Sequence, residues 1–280
     1  MIFDTHCHAF WRGLEHRQDE VRDNMAAAGV RGAVQIGADI ESSRIALDTA
    51  IRWGSTTWCT VGIHPTDCQN HPADSCETAV RELERLCESR IDKVVGIGET
   101  GLDYYHLTTG KESSQKETQF AYFTVQSRLA RRLNLPLVIH TRDAAADTVR
   151  LIKENDVRRA VIHCFSEDSR FAEELINWSE EIYFSFSGIL TFRNARPIQE
   201  AAAHLPLNRI LVETDSPFIV PAGAHCKGGV NEPAFTRYVL NSLKTLRHEP
   251  PETVEQTVWE NSLAFFGINY PNGLSAAFEE

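Results

Sequence analysis

Short runs of apolar residues, rich in Val, Ile and Leu, recur along the 280-residue chain between longer segments with helical spacing. Most runs are continuous and not alternating, which is typical of strands buried on both faces of a parallel sheet. Their regular recurrence suits repeated strand–helix units. We predict eight strands, at residues 2–6, 33–37, 57–62, 94–98, 137–140, 160–163, 182–185 and 210–213.

The segments between the predicted strands carry apolar residues at helical spacing. The clearest is 112–133, where Phe120, Phe123 and Leu129 contribute to one apolar stripe. Further helices are predicted at residues 77–89, 143–154, 168–178, 230–247 and 251–266. No linker rich in Gly, Ser or Pro divides the chain, so we predict a single domain over 1–280.

Eight strand–helix units fit one (β/α)8 TIM barrel, although a doubly wound open sheet also alternates strands with helices. Polar residues at the strand ends favour the barrel: His6, His140, His163 and Glu213 each end an apolar run, and Glu99 follows another. In a barrel these ends meet around one mouth, whereas an open sheet spreads them along an edge. We therefore predict an α/β TIM barrel with its site at the C-terminal ends of the strands.

Composition limits the partners and the compartment. The chain has 28 Lys and Arg against 39 Asp and Glu, a net charge of −11, which argues against a broad basic face for nucleic acid. Seven cysteines without a Cys-x-x-Cys pair indicate neither a disulfide framework nor a zinc ribbon. The N-terminus lacks the pattern of a signal peptide, and no apolar run is long enough to span a membrane. We expect a cytoplasmic protein with no membrane partner.

Candidate metal ligands occur at five strand ends. His6 and His8 point to one face of the first strand, although a His-x-His pair alone is weak evidence. Glu99 lies between glycines, and one carboxylate can bridge two cations. The other candidate ligands are His140, His163, Glu213 and Asp215. Each alone has a simpler interpretation, as a core histidine, a loop acid or a salt-bridge partner.

Taken together, four imidazoles and at least two carboxylates predict a divalent-metal site, with two ions favoured over one. These ligands suit Zn, Mn, Fe, Ni or Co, and Mg among the harder ions. Two ions about 3.5–4 Å apart can clamp attacking and leaving oxygens and activate water near neutral pH. Cys7 and Cys164 lie beside candidate ligands, but strand alternation points them away, so neither is assigned.

The order of these motifs resembles the TatD-like metal-dependent deoxyribonucleases, within the amidohydrolase-type superfamily, over nearly the full chain. The motifs are DTHCH at 4–8, GIHP at 62–65, GETGLDYY at 98–105, IHTRDA at 139–144, HCF at 163–165, FSFSGI at 184–189 and ETDSP at 213–217. The resemblance implies that His6, His8 and Asp215 hold one metal. Glu99 would bridge to a second metal, held also by His140 and His163.

The resemblance also implies an activity and substrate contacts. It implies a DNA 3′–5′ exonuclease acting on single-stranded ends, with Zn, Mg, Mn, Co or Ni as cofactor and Asp215 and Glu99 as catalytic residues. Asp215 would orient the attacking water and take its proton. Substrate contacts would come from His64, Arg142 and Lys227. We expect a monomer with no obligate protein partner.

The loop at 221–233 departs from the family pattern. It reads PAGAHCKGGVNEP, is longer than usual and lacks an Arg, and Lys227 supplies only a point charge where Arg would grip phosphate bidentately. One alternative is therefore a hydrolase of a small phosphoester, carboxylic ester or amide on the same barrel. Another is a non-catalytic barrel, against which the complete ligand set argues. Two divalent ions would add up to +4 locally, so a net charge of −11 is compatible with weak, local binding of a DNA end.

Overall fold

The computed structural model describes residues 1–69 and 71–270, without the side chain of Lys227. The end of the predicted domain, 271–280, and the predicted substrate contact of Lys227 lie outside the described residues. Within the described part, eight parallel strands pair in chain order. They are β1 (Ile2–Cys7), β2 (Val30–Ile36), β3 (Thr57–Val61), β4 (Val94–Asp103), β5 (Leu137–Arg142), β6 (Arg159–Ile162), β7 (Glu181–Phe186) and β8 (Ile210–Val212).

Helices connect and flank these strands, and the two longest were predicted to the residue. They are α1 (Gln18–Ala27), α2 (Ile40–Trp53), the single turn α3 (Pro65–Cys68), α4 (Cys76–Ser89), α5 (Glu112–Leu133), α6 (Ala145–Glu154), α7 (Ser169–Trp178), α8 (Arg196–His204), α9 (Thr236–Leu246) and α10 (Pro251–Phe266). Of the helices in the described ranges, none combines the length and apolarity that a membrane crossing requires.

The barrel closes between β1 and the segment that follows β8. Cys7 and Ser216 form a parallel bridge, and the backbone N–H of His8 donates to the Ser216 carbonyl at 2.7 Å. The backbone N–H of Asp215 donates to the His6 carbonyl at 2.9 Å. The predicted TIM barrel is thus confirmed, and its closure places two distant parts of the chain side by side at the mouth.

Strand alternation divides the core into two layers. The inner cluster takes residues from successive strands, such as Phe3, Val138 and Val161, and Trp259 of α10 packs against it. The outer cluster takes the alternate positions, such as Ile139 and Ile162, and packs them against the helices. Because side chains repeat every two residues along a strand, the residues two places beyond Val138 and Val161 also point inward. Those residues are histidines.

Two predicted boundaries differ near the site. β4 continues past residue 98 to Asp103, because Thr100–Asp103 pair with Ile139–Arg142 after a register shift. The predicted helix at 230–247 is wrong over its first six residues, since α9 begins at Thr236. Instead, residues 230–232 form a loop, in which the Asn231 side-chain amide donates to the carbonyls of Thr214, Phe218 and Ile219, and Pro233–Phe235 form a short 3-10 helix before α9.

Candidate metal centre

Four histidines and two carboxylates meet at the mouth of the barrel. His6 and His8 come from the end of β1, Glu99 from β4, His140 from β5, His163 from just beyond β6, and Asp215 from beyond β8. All six side chains that the sequence predicted as ligands are therefore brought together. They divide into two groups around Glu99, which we call the first ligand set (His6, His8 and Asp215) and the second ligand set (His140 and His163).

The first ligand set contacts one oxygen of Glu99 through His6. Nε2 of His6 lies 3.3 Å from Nε2 of His8, 3.4 Å from Oε2 of Glu99 and 3.6 Å from Oδ1 of Asp215. Nε2 of His8 lies 3.7 Å from the same Asp215 oxygen. His6, His8 and Asp215 therefore form one candidate ligand group, and His6 connects it to Glu99.

The second ligand set surrounds the other oxygen of Glu99. Oε1 of Glu99 lies 3.1 Å from Nδ1 of His140 and 2.8 Å from Nε2 of His163, and these two nitrogens are 3.3 Å apart. The rings of His6 and His163 stack at 4.0 Å, so the two sets are in contact. Glu99 thus offers one oxygen to each set, as a bridging carboxylate would.

The spacing of these donor atoms fits divalent cations. An ion with ligand bonds of about 2.1 Å separates its ligand atoms by roughly 3.0 Å in an octahedron and roughly 3.4 Å in a tetrahedron. The separations in both sets, 2.8 to 3.7 Å, bracket these values. The Nδ1 of His6 is buried and has no hydrogen-bond partner among the described residues, so the polar contacts of this ring are made through Nε2 at the centre.

Outer hydrogen bonds orient three of the histidine rings. Nδ1 of His8 donates to the Ile36 carbonyl at 2.8 Å, which leaves the Nε2 lone pair for the centre. Nε2 of His140 lies 3.1 Å from Oδ2 of Asp103, and Nδ1 of His163 lies 3.3 Å from Oε1 of Glu213. The sequence placed Glu213 at the site but did not single out Asp103, although its position in the GETGLDYY motif is the available signal.

His64 also reaches the centre, in the geometry of a hydrogen-bond donor. Its Nε2 lies 3.3 Å from Oε1 of Glu99, within a possible ligand group with Glu99 and His140. Its Nδ1 accepts from the backbone N–H of Thr66 at 3.2 Å and lies 2.6 Å from the Thr66 hydroxyl; when the hydroxyl also donates to Nδ1, the proton of the neutral ring is on Nε2. A protonated nitrogen cannot ligate a metal, but it can donate to an oxygen. This geometry is compatible with the predicted substrate contact.

The pKa values of the centre's ionisable groups follow from burial and from the charges of neighbouring groups. Burial opposes ionisation of Glu99, but His163, His64 and His140 outweigh it and hold its pKa well below the usual value. Burial likewise opposes the charged form of His163, but Glu99 and Glu213 raise its pKa well above the usual value. Burial and the charge of His163 lower the pKa of His6. The carboxylates therefore draw positive charge into the centre.

The backbone around β4 and β5 approaches too closely for a side chain. Gly101 has a φ of +142°, and a Cβ there would collide with the carbonyl group of His140. Gly98 has a φ of +143°, and a Cβ there would lie 2.5 Å from the Val138 carbonyl oxygen. Glycine at these positions lets Glu99 and His140 sit on adjacent strands at bonding distance.

Asp4 anchors the loop that carries Asp215. Its carboxylate accepts from the Thr214 hydroxyl at 2.6 Å and from the Thr214 backbone N–H at 2.9 Å. Burial raises the pKa of Asp4 to about 8 despite these hydrogen bonds. The DTHCH and ETDSP motifs are therefore joined by the hydrogen bonds of Asp4 as well as by the contacts of His6 and His8 with Asp215.

The remaining predicted residues lie outside the ligand sets. Arg142 is exposed at the end of β5 and stacks on the Tyr105 ring. Cys7 donates to the Val34 carbonyl, and Cys164 contacts the Ser187 hydroxyl. Trp11 stacks on the ring of His8 at 4.5 Å, next to the centre.

Comparison with known proteins decides the family. The family model described as TatD-related DNase matches residues 3–267. The chain belongs to this family. Relatives include the metal-dependent hydrolase YcfH of Escherichia coli K12, 34% identical over 96% of each chain. YabD of Bacillus subtilis strain 168 is 32% identical, over 96% of this chain and 100% of that one. Both carry names that call them uncharacterized metal-dependent hydrolases.

Solved structures agree with this assignment. The TatD homolog YjjV of Escherichia coli K12 superimposes with a TM-score of 0.84 at 26% identity, covering 95% of this chain and 98% of that one. An uncharacterized amidohydrolase of Saccharomyces cerevisiae has a TM-score of 0.80 at 18% identity over 94% and 99% of the two chains, a likeness of fold alone. The protein is a metal-dependent hydrolase of the TatD family.

Proposed function

We propose that the protein is a divalent-metal-dependent phosphodiesterase that removes nucleotides from single-stranded DNA ends in the 3′–5′ direction. The observation that carries this proposal is the pair of ligand sets joined by the two oxygens of Glu99. Paired cations suit an in-line displacement at phosphorus, because each can stabilise one of the two reacting oxygens. The match to a family of DNases supports DNA as the substrate.

In this proposal the first ligand set and Glu99 hold one cation, and the second ligand set and Glu99 hold the other. When bound, the cations would supply Lewis acidity, which activates water and offsets the charge that develops on the phosphoryl group. Asp103 and Glu213 would keep the rings of His140 and His163 aligned with their ligating nitrogens facing Glu99.

Asp215 is the proposed general base. Its side chain is 14% exposed, against 6% for Glu99, so of these two carboxylates it is the more accessible to a substrate. His8, His6 and His163 outweigh the effect of burial and lower the pKa of Asp215, so it is ionised at neutral pH and can accept a proton from the attacking water. His64 would donate from Nε2 to a phosphate oxygen.

The test uses chelator-stripped protein, restored with Mg, Mn, Co or Zn and given 5′- or 3′-labelled single-stranded DNA. We expect metal-dependent shortening from the 3′ end. The variant Asp215→Asn should lower kcat by about 10²–10⁴-fold. The control Glu181→Gln removes an exposed carboxylate at the opposite end of the barrel and should leave kcat unchanged. Turnover of a small ester without DNA cleavage under any metal would refute the proposal in favour of the small-ester hydrolase.

A further inference from the structure

Two pairs of arginine and aromatic side chains face each other across the barrel mouth. Arg12 and Phe218 lie in the loops after β1 and β8, whereas Tyr105 and Arg142 lie at the ends of β4 and β5. The strands follow one another in chain order around the barrel, which closes between β1 and the end of β8. The β4–β5 junction is therefore diametrically opposite the β1–β8 junction, and the metal centre lies between the two pairs.

The pair of Tyr105 and Arg142 is linked to the second ligand set. The Arg142 guanidinium carbon lies 3.8 Å from the centre of the Tyr105 ring, yet Tyr105 remains 60% exposed. The ring of His106 meets Tyr105 edge to face at 4.9 Å, and Nδ1 of His106 lies 2.9 Å from the Asp103 carboxylate that also bonds His140. A large aromatic ring is thus held open to solvent at a fixed distance from the centre.

The pair of Arg12 and Phe218 is linked to the first ligand set. The Arg12 guanidinium carbon lies 4.9 Å from the centre of the Phe218 ring, and Arg12 is exposed. Phe218 meets the ring of His8 edge to face at 6.2 Å, and Trp11 stacks on the same ring. Each end of the metal centre therefore carries an aromatic surface with an exposed guanidinium beside it.

We propose that these two pairs are nucleotide subsites on either side of the scissile phosphate, an inference that rests on the proposed function. Tyr105 stacks on an unpaired base, and Arg142 and Arg12 each contact a phosphate of the bound strand. Aromatic rings bind bases of any sequence, because every base has a π-face, and stacking requires that the base be unpaired. The pairs therefore select single strands of at least two nucleotides, without sequence preference. They also concentrate positive charge at the mouth of a chain whose net charge is −11.

The test compares substrates and variants. The substrates are oligothymidylates of two to ten nucleotides and bis(p-nitrophenyl) phosphate, a diester without bases. The variants are Tyr105→Ala, the ring-preserving Tyr105→Phe, and the double variant Arg12→Ala with Arg142→Ala. The control is Arg158→Ala, which removes a guanidinium 3.8 Å above the Trp178 ring just before β6, at the opposite end of the barrel.

We expect Tyr105→Ala to raise KM for oligothymidylate by roughly 5- to 150-fold, the range of one lost stacking contact, with little change in kcat. Tyr105→Phe and Arg158→Ala should retain the parental KM, and the small diester should be unaffected by any of them. Anisotropy of a labelled oligothymidylate gives a second readout independent of turnover. In the anisotropy assay, the double arginine variant should reduce the magnitude of the slope of log affinity against log salt by about 1.4, which is about 0.7 for each of the two lost phosphate contacts.

The outcomes separate this inference from the proposed function. Cleavage of DNA with an unchanged KM for Tyr105→Ala overturns the subsites and leaves the nuclease intact. Binding that depends on Tyr105 without cleavage supports the subsites and refutes the nuclease. Equal losses on the small diester and on oligothymidylate overturn the subsites, because they would show that Tyr105 acts on the centre and not on a base. A parental protein that neither binds nor cleaves oligothymidylate overturns both.

Discussion

Replacing Asp103 by alanine should weaken the second ligand set and spare the first. Oδ2 of Asp103 lies 3.1 Å from Nε2 of His140 and 2.9 Å from Nδ1 of His106, while Oδ1 accepts from the His106 backbone N–H at 2.9 Å. The carboxylate thereby orients the His140 ring so that Nδ1 faces Glu99. Its hydrogen bonds to described residues do not include any member of the first ligand set.

The size of the effect follows from the role of such an outer partner. Removing a carboxylate that orients a ligating histidine costs about 10–100-fold in metal affinity, or about 1.4–2.7 kcal/mol. The variant Asp103→Asn keeps an oxygen that can accept from Nε2 of His140 but loses the charge. We therefore expect it to fall between the parental protein and Asp103→Ala.

Calorimetric titration of chelator-stripped protein with Zn²⁺, in the presence of a competing chelator, measures the two binding events separately. The variant His8→Ala shows which of the two binding events belongs to the first ligand set, because it should weaken that event alone. Glu181→Gln serves as the charge control, since Glu181 is exposed at the start of β7. Equal weakening of both events by Asp103→Ala, or an effect confined to the first set, would refute the reasoning.

Three further changes have defined outcomes. Metal affinity should rise with pH and level off only above the raised pKa values of His140 and His163. Below those pKa values an ion must displace protons from the two imidazoles, which free imidazole would already have lost. Calorimetry in buffers of different ionisation enthalpy measures this proton release. Phe184→Ala should cost about 3–5 kcal/mol of unfolding free energy in urea, since this ring is fully buried and packs on Phe165 at 5.4 Å. Gly101→Ala should lower Tm and weaken the second ligand set together, because its Cβ would displace the His140 backbone; unchanged metal content in that variant would contradict the close-approach argument.

Much of the fold could be predicted because burial on both faces leaves a strong pattern in parallel strands. The continuous apolar runs located all eight strands, and α5 and α10 matched their predicted bounds. The start of α9 could not be predicted, because the predicted loop at 221–233 and the predicted helix at 230–247 overlap, and the segment 230–235 lies outside the α-helix. Side-chain hydrogen bonds from Asn231 to a distant loop hold it in another conformation.

The ligand candidates were also accessible from the sequence, since strand parity alone points His140 and His163 to the same side as Val138 and Val161. Apart from Glu213, the outer partners were not accessible in this way. The Ile36 carbonyl and the Asp103 carboxylate contribute through distances between strands, and neither residue type marks such a role. Which oxygen of Glu99 faces which ligand set, and the position of His64 beside Glu99, likewise follow only from the tertiary structure.

The sequence by itself determined which residues lie at the strand ends and which way they point, because both follow from local periodicity. The tertiary structure alone decided which of them meet. Barrel closure joins the end of β1 to the segment after β8, so that His6 and His8 share a point in space with Asp215. The same closure sets Arg12 and Phe218 opposite Tyr105 and Arg142. Contacts between residues far apart in the chain depend on the register and shear of the whole sheet, which no single segment encodes.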